Sequence, residues 1–183
     1  MAKPLVATAS FAGCFGCHMS LLDIDERILE LVQLVEFDKS PINDIKTFTR
    51  PVDVGLVEGG ISNDENVEWL REFRKNCKIL IAFGQCALTG GVPAVRNTVP
   101  LRECLEEAYL NGPTVAGVEG NNTIPNDPDI PILLDKVYPC HEVVKIDYFL
   151  PGCPPSADTL WAALTALLTG KDVGLPYELI KYD

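Results

Sequence analysis

A chain of 183 residues, 47% of them apolar, is long enough to bury a full core in one domain without disulfide staples. The net charge of −11 is spread along the sequence, and no cluster of Lys and Arg is present to neutralise phosphates, which argues against nucleic acid and anionic membrane surfaces as partners. No apolar run approaches the roughly 20 residues that a membrane helix needs.

Met1-Ala2-Lys3-Pro4 leads directly into a strand-like run, with neither the regions of a signal peptide nor a twin-arginine motif, and the expected compartment is the cytoplasm. Seven cysteines, an odd number, are expected there as thiols or metal ligands rather than disulfides. Leu5 to Ser10 reads as a buried strand. It is followed by the loop Ala12-Gly13-Cys14-Phe15-Gly16-Cys17-His18, and then by Leu21, Ile24, Ile28, Val32 and Val35 at the spacing of one amphipathic helix. The interleaved Asp23, Asp25, Glu26 and Glu30 read as its solvated face.

Val52 to Val57 is a second strand, and Asn63 or Asp64 is placed to cap a helix carrying Trp69, Phe73 and Cys77 on one face. Lys78 to Phe83 is a third strand, as apolar as interior strands of parallel sheets are. Leu101, Cys104, Leu105, Ala108 and Tyr109 mark another helix, so Cys77 and Cys104 read as packing residues. A short strand is expected over Thr114 to Val118, a loop over Gly120 to Pro131, and a last strand over Val143 to Leu150. Ser156 opens a final helix with Leu160, Trp161, Leu164 and Leu168 on one side and Gly170 at its end. Alternating strands and helices predict an α/β domain with a mainly parallel sheet over residues 1–170, followed by a C-terminal tail, 171–183, that must dock or fray.

Four loops carry the candidate chemistry. Cys14 and Cys17 follow the first strand, Glu58 the second, Cys86 the third and Cys153 the last, all at the carboxyl ends of strands, where ligands of open α/β sheets bind. Gly13, Gly16, Gly84 and Gly152 supply the tight turns and close backbone approach that a sulfur-bridged metal group requires. These loops are expected to meet and hold one iron–sulfur cluster. A thioredoxin-like pair would need no third and fourth cysteine, and a structural zinc site takes its ligands as two close pairs on small ribbons. Glu58 reads either as an ordinary surface carboxylate or as a residue able to hydrogen-bond, relay a proton or ligate iron. His18 reads as a hydrogen-bonding partner rather than a ligand, and Cys140, before the last strand, is expected at the opposite end of the sheet.

Cys14-Phe15-Gly16-Cys17 with Ser20, Val57-Glu58-Gly59, Gly84-Gln85-Cys86-Ala87 with Gly90-Gly91, and Pro151-Gly152-Cys153-Pro154-Pro155 resemble, in order and through nearly the entire chain, the small subunit of nickel-iron hydrogenases. The resemblance implies a flavodoxin-like, doubly wound fold in which Cys14, Cys17, Cys86 and Cys153 hold a [4Fe-4S] cluster with Glu58 beside it, facing a nickel-iron centre in a separate large subunit. The related quinone-reductase subunit of respiratory complex I has adjacent cysteines where Cys14 and Cys17 are separated by two residues. Long small subunits continue past the Pro-Gly-Cys-Pro-Pro loop to hold further clusters, whereas this sequence reaches Asp183 with room for one. Together with the run Cys17-His18-Met19-Ser20-Leu21-Leu22-Asp23-Ile24-Asp25-Glu26, this is similar to the cytoplasmic, bidirectional NAD-reducing group, whose members pair with a large subunit and a diaphorase module bearing FMN and further clusters. F420-reducing or ferredoxin-linked relatives, an FMN-binding module and a zinc-stabilised scaffold are the alternatives. No Ser/Thr and Gly-rich phosphate loop follows the first strand, which counts against FMN, and no second Cys-x-x-Cys pair is present to bind nickel.

Overall fold

Alternate side chains of strand β1 (Leu5–Ser10) are apolar toward both faces, as a strand buried on two sides demands. A computed structural model describes residues 3–115, 123–171 and 173–180. After β1 come α1 (Gly16–Leu22), α2 (Arg27–Leu34), β2 (Glu36–Phe37), β3 (Val52–Glu58), β4 (Ile61–Asn63), α3 (Asp64–Asn76) and β5 (Cys77–Phe83). Next are α4 (Gln85–Thr89), a 3-10 turn (Val92–Thr98), α5 (Leu101–Glu106), β6 (Leu133–Tyr138), β7 (Tyr148–Leu150) and α6 (Ala157–Leu168).

Five strands form one parallel sheet in the order β2-β1-β3-β5-β7. That is the flavodoxin-like doubly wound order, with its reversal between β1 and β3. Side-chain alternation divides the core between the faces. Leu5, Ala7, Leu80 and Ala82 join Leu70 and Phe73 of α3 on one side. On the other, Val6, Ile81 and Phe83 join Leu21, Leu31 and Leu160 from α1, α2 and α6. The Asn63 side chain accepts from Asn66 N to cap α3, and Ser156 accepts from Thr159 N to cap α6. No helix among the described residues is long and apolar enough to cross a membrane.

The expected single helix from Leu21 to Val35 is broken. α1 stops at Leu22 and Asp25 takes a left-handed φ of 55°, a conformation that Asp tolerates better than most residues. The expected apolar face holds only in part: Leu21, Ile24 and Val35 are buried, but Val32 is 39% exposed and Leu31 is buried in its place. Cys77 is not on the helix; it opens β5, and Trp69 is 43% exposed. Cys104 is half-buried, on an α5 that continues as a π turn over Glu107–Asn111. β6 pairs antiparallel with β4 in a separate ribbon that the sequence does not announce. The last strand is only three residues long, because Cys140–Glu142 form a 3-10 turn and Val143 and Val144 pack on the core without pairing. Thr114 and Val115 stand in a turn, while 116–118 and 120–122 lie outside the described residues. In the tail, Val173 and Leu175 pack against the α6 side of the core, and Thr159 Oγ1 donates to Leu179 O at 2.7 Å.

The start of β5 is fastened to β7 by one ion pair. Arg74 donates to Asp147 Oδ2 at 2.6 Å and to the carbonyls of Cys77 and Lys78, and Asp147 also accepts from Leu80 N at 2.8 Å. Burial raises the Asp147 carboxyl, but the Arg74 bond, the Leu80 amide and the neighbouring cations outweigh it and hold the group below the usual aspartate range. A depressed carboxyl stabilises the fold above its unfolded pKa of about 3.9 and loses that contribution as pH falls through the native value. Arg74→Ala is expected to cost about 1–3 kcal/mol at neutral pH, through unpaired carbonyls and an uncompensated carboxylate. Denaturant titrations at pH 7 and in acid check this: the difference between wild type and variant shrinks below about pH 4.

Candidate metal centre

Pairing continues past the strand ends where the chain reverses. Phe11 N donates to Glu58 O at 2.9 Å, and Ala12 and Gly60 exchange backbone bonds at 3.0 and 2.7 Å. The loop after β1 is therefore locked to the loop after β3. Phe15 sits between the first two cysteines at φ 65°, forming the left-handed entry to α1, and its ring stacks on His18 at 4.6 Å. Cys17 lies in the first turn of α1.

The other two loops are tied in the same way. Gly84, at φ 85° and ψ 150°, opens α4; its N–H donates to Leu150 O at 2.9 Å, and the Gln85 N–H donates to Gly152 O at 2.8 Å. The Cys86 and Cys153 loops are thus one unit. Ser20 Oγ donates to Pro155 O at 2.5 Å, fastening α1 to it. The peptide bond between Cys153 and Pro154 is cis.

Cys14, Cys17, Glu58, Cys86 and Cys153 line a single cavity at the carboxyl ends of β1, β3, β5 and β7. Cys14 and Cys153 are exposed, and Cys17 and Cys86 are half-buried. Backbone reaches the sulfurs because glycine stands against them. A Cβ on Gly84 would strike Cys17 Sγ, one on Gly91 would lie 2.9 Å from Cys86 Sγ, and one on Gly16 would lie 3.1 Å from Cys14 Sγ.

The electrostatics of the cavity oppose bare thiolates. Burial pushes the Cys17 thiol far up, and the Glu58 charge and hydrogen bond and the nearby Cys86 and Cys14 add to it. Cys86 is raised by burial and by Cys153, Cys14 and Glu58, against a hydrogen bond from the Val92 backbone. Several thiols in one space deprotonate together only when a cationic group compensates them, as metal ions do outright. Among the described residues, no three Cys, His, Asp or Glu side chains converge on one ion. A lone zinc draws its sulfurs to about 2.3 Å. Four cysteine thiols lining one cavity, with glycines against three of the sulfurs, are a donor set that an iron–sulfur group can use.

Glu58 is not a surface carboxylate. It is 2% exposed, and its Oε2 accepts from Cys17 N at 3.0 Å while its Oε1 lies 2.5 Å from His18 Nδ1. Burial raises this carboxyl, but His18, by hydrogen bond and charge, together with Cys17 and Ser10, more than offsets that and holds it below the usual glutamate range. His18 is a hydrogen-bonding partner, fully buried, as expected. Cys140 differs from expectation in position: its Sγ donates to Gly59 O at 3.5 Å, at the same end as the cavity, because β6 runs antiparallel to β4 and returns the chain there. It does not line the cavity, and burial pushes its thiol up to about 12, as it does that of Cys77. Gln85 also lines the cavity, and Thr8 and Ser40 lie behind Glu58; sequence reasoning assigns none of the three a role, although Thr8 is a polar residue inside a buried strand.

A flavodoxin-like sheet with a cysteine-lined cavity at its switch point defines the class of protein. Residues 14–167 match the family described as NADH ubiquinone oxidoreductase, 20 Kd subunit. The chain is 49% identical to the NAD-reducing hydrogenase HoxS subunit delta of Cupriavidus necator over 182 residues, which is 99% of this chain and 86% of that one. It is 42% identical over 176 residues to a subunit of the F420-non-reducing hydrogenase of Methanothermobacter thermautotrophicus, covering 95% of this chain but only 56% of that relative. A chain in the crystal structure of NAD+-reducing [NiFe]-hydrogenase in the H2-reduced state superposes with a TM-score of 0.94 at 48% identity, over 99% of both chains. The chain therefore belongs to the NADH:ubiquinone oxidoreductase 20 kDa subunit family, among the nickel-iron hydrogenase small subunits that its motifs resemble.

Proposed function

We propose that this chain is the electron-relay small subunit of a cytoplasmic NAD-reducing nickel-iron hydrogenase. The observation that carries the reading is the meeting of three thiol-bearing loops, with the Glu58 loop beside them, in one cavity at the sheet's switch point. One [4Fe-4S] cluster held there by Cys14, Cys17, Cys86 and Cys153 would supply reversible one-electron transfer. Residues 1–170 are the cluster domain, and the described tail residues 173–180 pack on it through Val173, Leu175 and the Leu179 carbonyl. The exposed Cys14 and Cys153 put the cavity mouth on the surface, where a large subunit with the nickel-iron centre would cover it and exclude water. The chain's own residues do the holding: glycine brings backbone up to the sulfurs, the Glu58–Cys17 bond fixes the start of α1, and Ser20 pins the Cys153 loop. A diaphorase with FMN and further clusters is the expected second partner.

The NAD-linked type is favoured by identity, 49% to the HoxS subunit against 42% to the Methanothermobacter F420-non-reducing one. The test is anaerobic purification of the tagged chain with its copurifying partners, followed by iron, sulfide and nickel analysis and a hydrogen-oxidation assay with NAD. Four irons per copy, nickel arriving only with a larger subunit, and NAD reduction are expected. Zinc without iron or acid-labile sulfide overturns the relay reading; iron without NAD reduction overturns the choice of acceptor.

A further inference from the structure

Behind the cavity runs a line of buried polar groups that binding of a cluster does not by itself require. Glu58 Oε1 meets His18 Nδ1 at 2.5 Å, His18 Nε2 meets Thr8 Oγ1 at 2.9 Å, and Thr8 Oγ1 meets Ser40 Oγ at 2.7 Å. Ser40 Oγ in turn accepts from Ile42 N at 3.3 Å. Thr8, His18, Ser40 and Glu58 are each at most 2% exposed. One set of donors satisfies every group: the Ile42 amide to Ser40, Ser40 to Thr8, Thr8 to His18, and His18 to Glu58, whose other oxygen takes the Cys17 amide.

The imidazole is held on its faces as well as its edges. Phe15 stacks on it at 4.6 Å and Phe83 meets it edge-on at 5.4 Å. A ring so constrained leaves the carboxylate one place to stand. We infer that His18 is a positioning residue: clamped by Thr8, Ser40, Phe15 and Phe83, it fixes the Glu58 carboxylate against the Cys17 amide, so that a negative charge sits at a set place beside the thiols and tunes the reduction potential of the group they hold. This rests on the cluster reading of the cavity. Thr8 and Ser40 come from β1 and from the loop after β2, so the edge of the sheet reaches the metal site through His18.

The experiment is a redox titration at fixed pH, followed by electron paramagnetic resonance on the anaerobically purified complex, with iron and sulfide measured in every sample. Glu58→Gln removes the charge and moves the midpoint to more positive potential. His18→Ala releases the carboxylate from its place near Cys17 and moves the midpoint in the same direction. His18→Asn, which keeps a donor near Nδ1, restores much of the wild-type value. Combining His18→Ala with Glu58→Gln adds nothing to Glu58→Gln alone, because His18 acts through Glu58. Thr8→Val keeps the side chain's shape and deletes only the hydroxyl; it gives a smaller shift in the same direction and keeps the test open if His18→Ala does not fold. Equal midpoints in wild type and Thr8→Val, or shifts that add in the double variant, overturn the positioning role. Wild-type chain without iron and sulfide overturns instead the reading of the cavity on which it rests.

Discussion

Cys17→Ser is expected to empty or alter the metal site and to stop hydrogen-linked NAD reduction while leaving the fold in place. The hydroxyl is a poor ligand where a soft thiolate is needed. The backbone amide of residue 17 keeps its bond to Glu58, so the start of α1 has no reason to unwind. Loss of an outer partner of a metal ligand already costs about 10–100-fold in affinity or activity, and loss of a ligand itself exceeds that. Iron and sulfide per chain, the reduced-state spectrum and NAD-dependent hydrogen oxidation are the measurements, with thermal unfolding as the control for the fold. Because the reaction with hydrogen belongs to the proposed large subunit, nickel should still be found in the complex. Unchanged NAD-linked oxidation in this variant would place the relay elsewhere.

Gly84→Ala is expected to be strongly damaging although it replaces no proposed ligand. At φ 85° and ψ 150° the backbone is in a region that side chains with a Cβ avoid, at a cost of about 1–3 kcal/mol. The new methyl would also point into Cys17 Sγ. The loop has no room to yield, because Gly84 N is bonded to Leu150 O and Gln85 N to Gly152 O, so relief at residue 84 would pull the Cys153 loop out of place. A loss of about 3 kcal/mol corresponds to a fall of roughly 6–12 °C in the unfolding midpoint of a chain this size. Iron content should fall as well. Gly170→Ala is the control: it has φ 67° but nothing within 4 Å of the new Cβ, so it carries the backbone strain and leaves the metal content as it was. Equal iron content in the two variants would sink the claim that Gly84 exists to admit the Cys17 sulfur.

Much of the fold is legible in the sequence because it rests on local pattern. β1, β3 and β5 are short apolar runs that end at Gly or at a loop rich in it, and the pattern places them within a residue or two. Asn63 and Ser156 are caps in the structure as in the sequence, since a cap bonds an amide three residues on. The five cavity residues follow from one rule, that loops at the carboxyl ends of parallel strands converge.

What the sequence alone determined, then, is the parallel α/β framework and the gathering of Cys14, Cys17, Glu58, Cys86 and Cys153 at one end of it. Tertiary structure decided the rest. Ser20 bonds a carbonyl 135 positions away, and His18 reaches Glu58 across 40. Nothing in the neighbours of either residue encodes its partner. β2 is two residues long and β6 pairs outside the main sheet, so neither leaves a periodic trace. Asp25 breaks a helix whose apolar spacing runs on in the sequence from Leu21 to Val35, and beyond the break Leu31 rather than Val32 is the buried residue. Periodicity records which face of a segment is buried; only the folded chain supplies the polar partner that lets His18 and Glu58 be buried at all.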